Sequence, residues 1–155
     1  TGGGTLRAAR GHARRVDDVA RACERNVRAL FVTLKSLVPG LVRRPSSFIA
    51  AMASQEAWGG GAAGAGVFAA SKSAVAALLR SLDRELDATT VEICIAFPMG
   101  RVDTESNRRK PVDDGRGVIE PRAIGDALVG AALMHGGGRL RELPIYPPRS
   151  ARRPS

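Results

Sequence analysis

Aromatic residues make up only 4% of the 155-residue chain, and Trp58 and Tyr146 are its single tryptophan and tyrosine. A single-stranded nucleic-acid platform stacks bases on several rings set among basic residues, and no such array is present. Lysine is scarce too: among 24 basic residues only Lys35, Lys72 and Lys110 are lysines. The arginines fall in scattered pairs (Arg14-Arg15, Arg43-Arg44, Arg108-Arg109, Arg152-Arg153) with acids between them. The formal net charge of +9 therefore reads as an arginine-rich, GC-biased background, and no nucleic-acid partner is expected. No apolar run nears the ~18 residues that cross a bilayer, so no membrane partner is expected either. The chain opens at Thr1 without a basic n-region and apolar h-region, the marks of a secretory signal. Its two cysteines, Cys23 and Cys94, lie far apart inside apolar segments and fit reduced core thiols. These traits together give the expectation of a cytoplasmic protein. No CxxC and no His/Cys cluster occurs, and His12 and His135 adjoin glycines as surface residues, so no metal site is expected.

What is present is periodic. Val16, Val19, Cys23, Val27, Leu30, Leu34 and Leu37 recur at steps of three and four, which predicts an amphipathic helix over 16–38. Asp17 and Asp18 suit its first turn, and Pro39-Gly40 is expected to end it. Ser47 to Ala53 is a short apolar run, read as a buried strand. After a Gly-rich loop (55–66), Val75, Leu79, Leu82 and Leu86 stripe a second helix over 67–87. Arg80, Asp83, Arg84 and Asp87 are placed on its water face. Val91 to Phe97 reads as a second buried strand, and 99–120 as a loop. Pro121 sits at N1 of a third helix, 121–135, with Ile124, Leu128 and Ala131 inward. Leu143 to Tyr146 can form a short last strand, and 148–155 a disordered basic tail. Strands alternating with helices predict a parallel α/β sheet. In such a sheet the ligand site lies beyond the carboxyl ends of the strands, which here means the loops 54–66 and 98–120.

Those loops and the helix between them carry a constellation. Ser54 leaves the first strand, and Phe68 and Lys72 lie four residues apart on one helix face. Asn26 lies in the first helix, and Pro98-Met99-Gly100-Arg101-Val102-Asp103-Thr104 follows the second strand.

In this order and spacing the chain resembles the short-chain dehydrogenase/reductase family, from about Gly2 to Pro147. The resemblance covers the C-terminal three-fifths of a family member. It implies a Rossmann-like parallel sheet with flanking helices, lacking the N-terminal three strand–helix units, over 1–147. It also implies an NAD(P)-dependent oxidoreductase acting on a carbonyl or alcohol. Asn26, Ser54, Phe68 and Lys72 fall on the catalytic Asn, Ser, Tyr and Lys positions. Gly4, Lys72, Pro98, Gly100, Val102 and Thr104 fall on cofactor-binding positions, for either NAD or NADP. In the family the tyrosine moves the proton at the substrate oxygen, and the lysine lowers the tyrosine pKa and holds the nicotinamide ribose.

The chain departs from this pattern in ways that matter. Phe68 stands at the tyrosine position and has no hydroxyl to give or take a proton. Met99 is inserted between Pro98 and Gly100, and Thr1-Gly2-Gly3-Gly4 lacks the family's asparagines. The Gly-rich loop that meets the pyrophosphate at a helix N-terminus is not in the sequence. Little or no dehydrogenase activity is therefore expected. The alternative expectation is a non-catalytic paralogue that pairs with itself or an intact relative. It would do so through helices 16–38 and 67–87, with Ala69, Ala70, Ala74, Ala76 and Ala77 allowing close packing. An uncovered sheet edge and exposed helix faces are further expectations.

Overall fold

Val91 to Pro98 is apolar at almost every position, and that pattern suits a strand covered on both faces. In the computed structural model, which describes residues 16–59, 61, 64–109, 117–134 and 138–149, it is the centre of a three-stranded sheet. Gly4, the Thr1–Gly4 turn, both histidines and the end of the basic tail lie outside the described residues.

The elements run as follows: α1 (Val16–Cys23), a π-helical turn (Glu24–Arg28), α2 (Ala29–Leu41), β1 (Ser47–Met52), α3 (Gln55–Trp58) and α4 (Gly66–Glu85). Then come β2 (Val91–Pro98), β3 (Arg101–Val102), α5 (Glu105–Arg108), β4 (Val118–Ile119), α6 (Pro121–Ala132) and β5 (Glu142–Ile145). The main sheet has order β1-β2-β5, and both pairings are parallel. Ser47 pairs with Val91 and Met52 with Ala96. On the other side Ile95 pairs with Glu142 and Pro98 with Ile145. Pro144 is tolerated because β5 has a partner on one side only among the described residues. Helix α4 connects β1 to β2 and α6 precedes β5, so the parallel α/β reading of the sequence holds.

The core joins Leu34, Val75, Leu79, Leu86, Ile93, Ile95 and Phe97. Phe97 is fully buried and takes the Trp58 ring edge-on at 4.8 Å between centroids. The Arg80 guanidinium lies 5.8 Å from the Phe97 ring centre, a cation–π distance.

Several expectations change. The first helix does not stop at Pro39-Gly40; α2 runs through both to Leu41, and Val42 N–H still bonds to the Val38 carbonyl. Proline so near a helix end interrupts little that must follow. The even stripe is broken by the π turn, in which Ala29 N–H reaches back five residues to the Glu24 carbonyl. One residue more per turn offsets the apolar face by about 100°. Ahead of the turn Ala22 is buried, while Val19 and Cys23 are exposed. Cys23 is thus not a core thiol, whereas Cys94 is. Leu37 also faces out.

β1 is only half buried. Ser47 is buried and Ile49 and Ala51 pack against the core, while Ala50 and Met52 are exposed. Asp83, expected on the water face of α4, is buried with its side chain 5% exposed. It pairs with Arg141, and Arg139 Nη1 lies 3.9 Å away. Arg139 bonds Asp87 at 2.7 Å, and Arg80 bonds Glu142 at 2.6 Å. These pairs pin the segment carrying β5 onto α4. Ala76, expected on a packing face, is instead fully buried inside the fold.

Candidate functional site

Both loops leaving the carboxyl ends of β1 and β2 open onto one cavity of about 710 Å³. Its lining brings together Ser54, Phe68, Lys72, Pro98, Gly100, Val102 and Thr104, seven positions singled out in the sequence. Asn26 does not line it.

Ser54 has an extended backbone (φ −167°, ψ 157°) and its hydroxyl accepts from Glu56 N–H at 3.4 Å, capping α3. A serine ahead of a short helix is held by that cap, so its hydroxyl stays at the cavity mouth. The loop read as 55–66 thus begins with a helical turn.

Phe68 and Lys72 share a face of α4, as their four-residue spacing requires. The Phe68 ring is 43% exposed and lines the cavity. Lys72 Nζ donates to the Met52 carbonyl at 3.0 Å, and partial burial lowers its pKa from the ordinary lysine value. Desolvation disfavours the ammonium, and the Met52 carbonyl is a neutral acceptor that restores little. Asn26 acts one step removed. From the π turn its Nδ2 donates to Ser71 Oγ at 2.9 Å, and Ser71 Oγ donates to the Phe68 carbonyl at 2.9 Å. Ser71 is buried and adjoins Lys72, so this relay fixes the turn of α4 that carries both Phe68 and Lys72.

The segment after β2 is not a plain loop. β3 pairs in parallel with β4, and Thr104 caps α5 by accepting from Asn107 N–H. Asn107 Nδ2 donates to the Val102 carbonyl at 3.0 Å. Gly100 is required by close approach: a Cβ there would lie 2.6 Å from the Gly117 carbonyl oxygen and 3.2 Å from Pro147 Cδ. A Cβ on Gly117 would meet Pro147 Cβ at 2.6 Å. The backbone of the cavity wall, the strand β4 and the chain after β5 therefore meet at one joint.

Sequence reasoning missed Glu56, a buried carboxylate in the cavity lining. Its place two residues after Ser54, at the first turn of α3, was the available signal. It also missed Arg101 and Asn107 in the lining and Gly117 behind it, whose role depends on contact with Pro147 and leaves no local pattern. Among the described residues no group of three His, Cys, Asp or Glu side chains could hold a metal, and no helix is long and apolar enough to cross a membrane.

The sequence profile of the short chain dehydrogenase family matches residues 2–114. Among solved structures the chain is similar to a serine dehydrogenase complexed with NADP+, at 23% identity and a TM-score of 0.75, over 88% of this chain and 58% of that one. It is similar to an alcohol dehydrogenase from the archaeon Thermococcus sibiricus complexed with 5-hydroxy-NADP, at 23% identity and a TM-score of 0.73, over 93% and 59%. It is also similar to a 3-ketoacyl-(acyl-carrier-protein) reductase from Brucella melitensis complexed with NADH, at 17% identity and a TM-score of 0.75, over 90% and 61%. The chain thus spans about three-fifths of the length of each. At these identities the likeness is one of fold. No curated protein matches.

Proposed function

The chain belongs to the short chain dehydrogenase family, and from that premise we propose that its cavity is the nicotinamide-side and substrate half of an NAD(P)-linked oxidoreductase cleft, with hydride transfer weak or absent. One observation carries this reading. Ser54, Phe68, Lys72 and the Pro98–Thr104 segment converge on a single cavity, with a phenyl ring where a proton donor is needed.

The residues present fit the nicotinamide half. Gly100 keeps the wall free of a side chain that its neighbours have no room for, and Lys72 offers donors beyond the one Met52 uses. Lys72 would hold the ribose hydroxyls, with Pro98, Gly100, Val102 and Thr104 on the nicotinamide side. Gly4, the remaining cofactor position, lies outside the described residues. The cofactor, NAD or NADP, supplies or accepts the hydride when bound. Ser54 would donate to the oxygen of a small carbonyl or alcohol substrate. Asn26 acts through Ser71 in holding Lys72. Phe68 excludes water from one wall but cannot move a proton. A positioned acid–base group contributes about 10²–10⁴-fold, and reduction should lack that factor.

The test is NAD(P)H oxidation with a panel of carbonyl compounds, on this chain and on one extended upstream of Thr1. Phe68→Tyr is expected to raise the rate by about 10²–10⁴-fold, and Phe68→Leu to leave it unchanged. Robust turnover with Phe68 in place removes the inactivity claim.

A second reading is supported by the surface. Phe31 (51% exposed), Val32 and Leu37 (54%) stand out from α2, and a shallow apolar hollow of about 380 Å³ lies between α2 and α4. A non-catalytic protein that self-associates, or joins an intact paralogue, would cover them.

A further inference from the structure

We propose that Lys72 is a carbonyl-capturing amine, which forms a carbinolamine and then an imine with an aldehyde or ketone held in the 710 Å³ cavity. This goes beyond the oxidoreductase reading, since it needs no nucleotide, but it rests on the same reading of the cavity as a carbonyl site.

The placement of Lys72 is the ground for this. Its side chain lines a cavity whose lining also includes Phe68, Pro121, Ile124 and Leu128, an apolar setting for a hydrocarbon-bearing carbonyl compound. Its Nζ donates to a main-chain carbonyl, Met52 O, at 3.0 Å, and no carboxylate pairs with it among the described residues. A neutral amine keeps that bond. It donates one hydrogen to Met52 O and leaves its lone pair for attack, whereas an ion-paired lysine would be held as ammonium. Partial burial already lowers its pKa, the direction that makes lysines nucleophilic. With Phe68 one turn earlier, no phenol stands there to share or compete for its proton. The other charged groups on the cavity are Glu56 and Arg101.

The chemistry balances without an oxidant or reductant. The ammonium first yields a proton to solvent. The Nζ lone pair then bonds to the carbonyl carbon, and the π pair moves to oxygen, which takes the proton of the Ser54 hydroxyl; the nitrogen then gives up one of its protons, which restores the Ser54 hydroxyl and leaves a neutral carbinolamine. The carbinolamine hydroxyl leaves as water after protonation, and the iminium gives up its N–H proton. The net change is the loss of one water.

The 155-residue chain is incubated at neutral pH, without nucleotide, with benzaldehyde and sodium cyanoborohydride, which reduces an imine in preference to the free aldehyde. The reductant turns a captured imine into a stable amine, adding the mass of the probe less one oxygen. Peptide mapping then compares Lys72 with exposed Lys35. Lys72 is expected to be labelled several-fold faster, because burial leaves more of its amine neutral at a given pH, and Lys72→Arg to lose that label with an unchanged circular dichroism spectrum. In the wild-type chain the pH profile of Lys72 labelling should rise below the range of an ordinary lysine, a readout that needs no variant. Equal rates at the two lysines, or labelling of Lys72 only in denaturant, overturns the proposal. Nucleotide binding with Lys72 unlabelled removes the amine and spares the oxidoreductase reading. Labelling without nucleotide binding supports the amine and removes the oxidoreductase reading.

Discussion

One oxygen atom separates Phe68 from a proton donor, and at the residue scale such small chemical differences decide what the chain can do. The two cysteines make the same point. Burial raises the Cys94 thiol pKa, which reduces the thiolate available at neutral pH, and the side chain is enclosed in the central strand. Cys23 is exposed on α1. Iodoacetamide at neutral pH should alkylate Cys23 in the native chain and spare Cys94, with both modified in denaturant; peptide mass mapping reads the outcome. The sequence shows two cysteines in apolar runs, and only the π turn, which rotates Cys23 away from the core, tells them apart.

At the scale of elements, the order of helices and strands was legible because alternation, turn residues and apolar stripes all agree. β2 is read correctly from Val91 to Phe97 because every position is apolar or nearly so. β1 is read correctly in extent to within one residue but not in burial, since its exposed Ala50 and Met52 depend on which layer covers that face, a non-local fact. β3 and β4 are two residues long, too short for any period to register. The π turn has no compositional mark, yet it supplies Asn26 to the buried Ser71. That link is testable as a double-mutant cycle. Asn26→Ala and Ser71→Ala should each lower the urea midpoint, and their coupling energy should be about 1 kcal/mol, the net worth of one part-buried hydrogen bond. Additive effects would mean that α4 is positioned by packing alone. Of the site, Ser54, Phe68, Lys72 and the Pro98–Thr104 segment were legible because the motif spacing survives. Glu56 and Asn107 were not, and within the segment Arg101 was not singled out, because a lining residue is defined by what faces it across the cavity.

For the whole molecule, the balance of buried and exposed surface is the issue. Phe31, Val32 and Leu37 on α2 and Met52 on β1 are exposed apolar side chains, and surface of that kind favours association. Sedimentation velocity across a concentration series should show reversible self-association. Phe31→Asp with Leu37→Asp should shift the chain towards monomer without changing its helical spectrum. A strict monomer in the parent chain would remove the assembly reading. The ion pairs of Asp83, Asp87 and Glu142 with Arg141, Arg139 and Arg80 fasten the last strand from one side, and Pro147 fastens it from the other. That second fastening governs which substitutions the chain can accept together. The nearest obstacle to a side chain at 117 is Pro147 Cβ, an atom that every residue but glycine keeps, so positions 117 and 147 can change only as a pair, with glycine at 147 admitting a larger residue at 117. The nearest obstacle at 100 is a main-chain oxygen, which no exchange of side chains removes, and so glycine is locked there for as long as the joint itself persists.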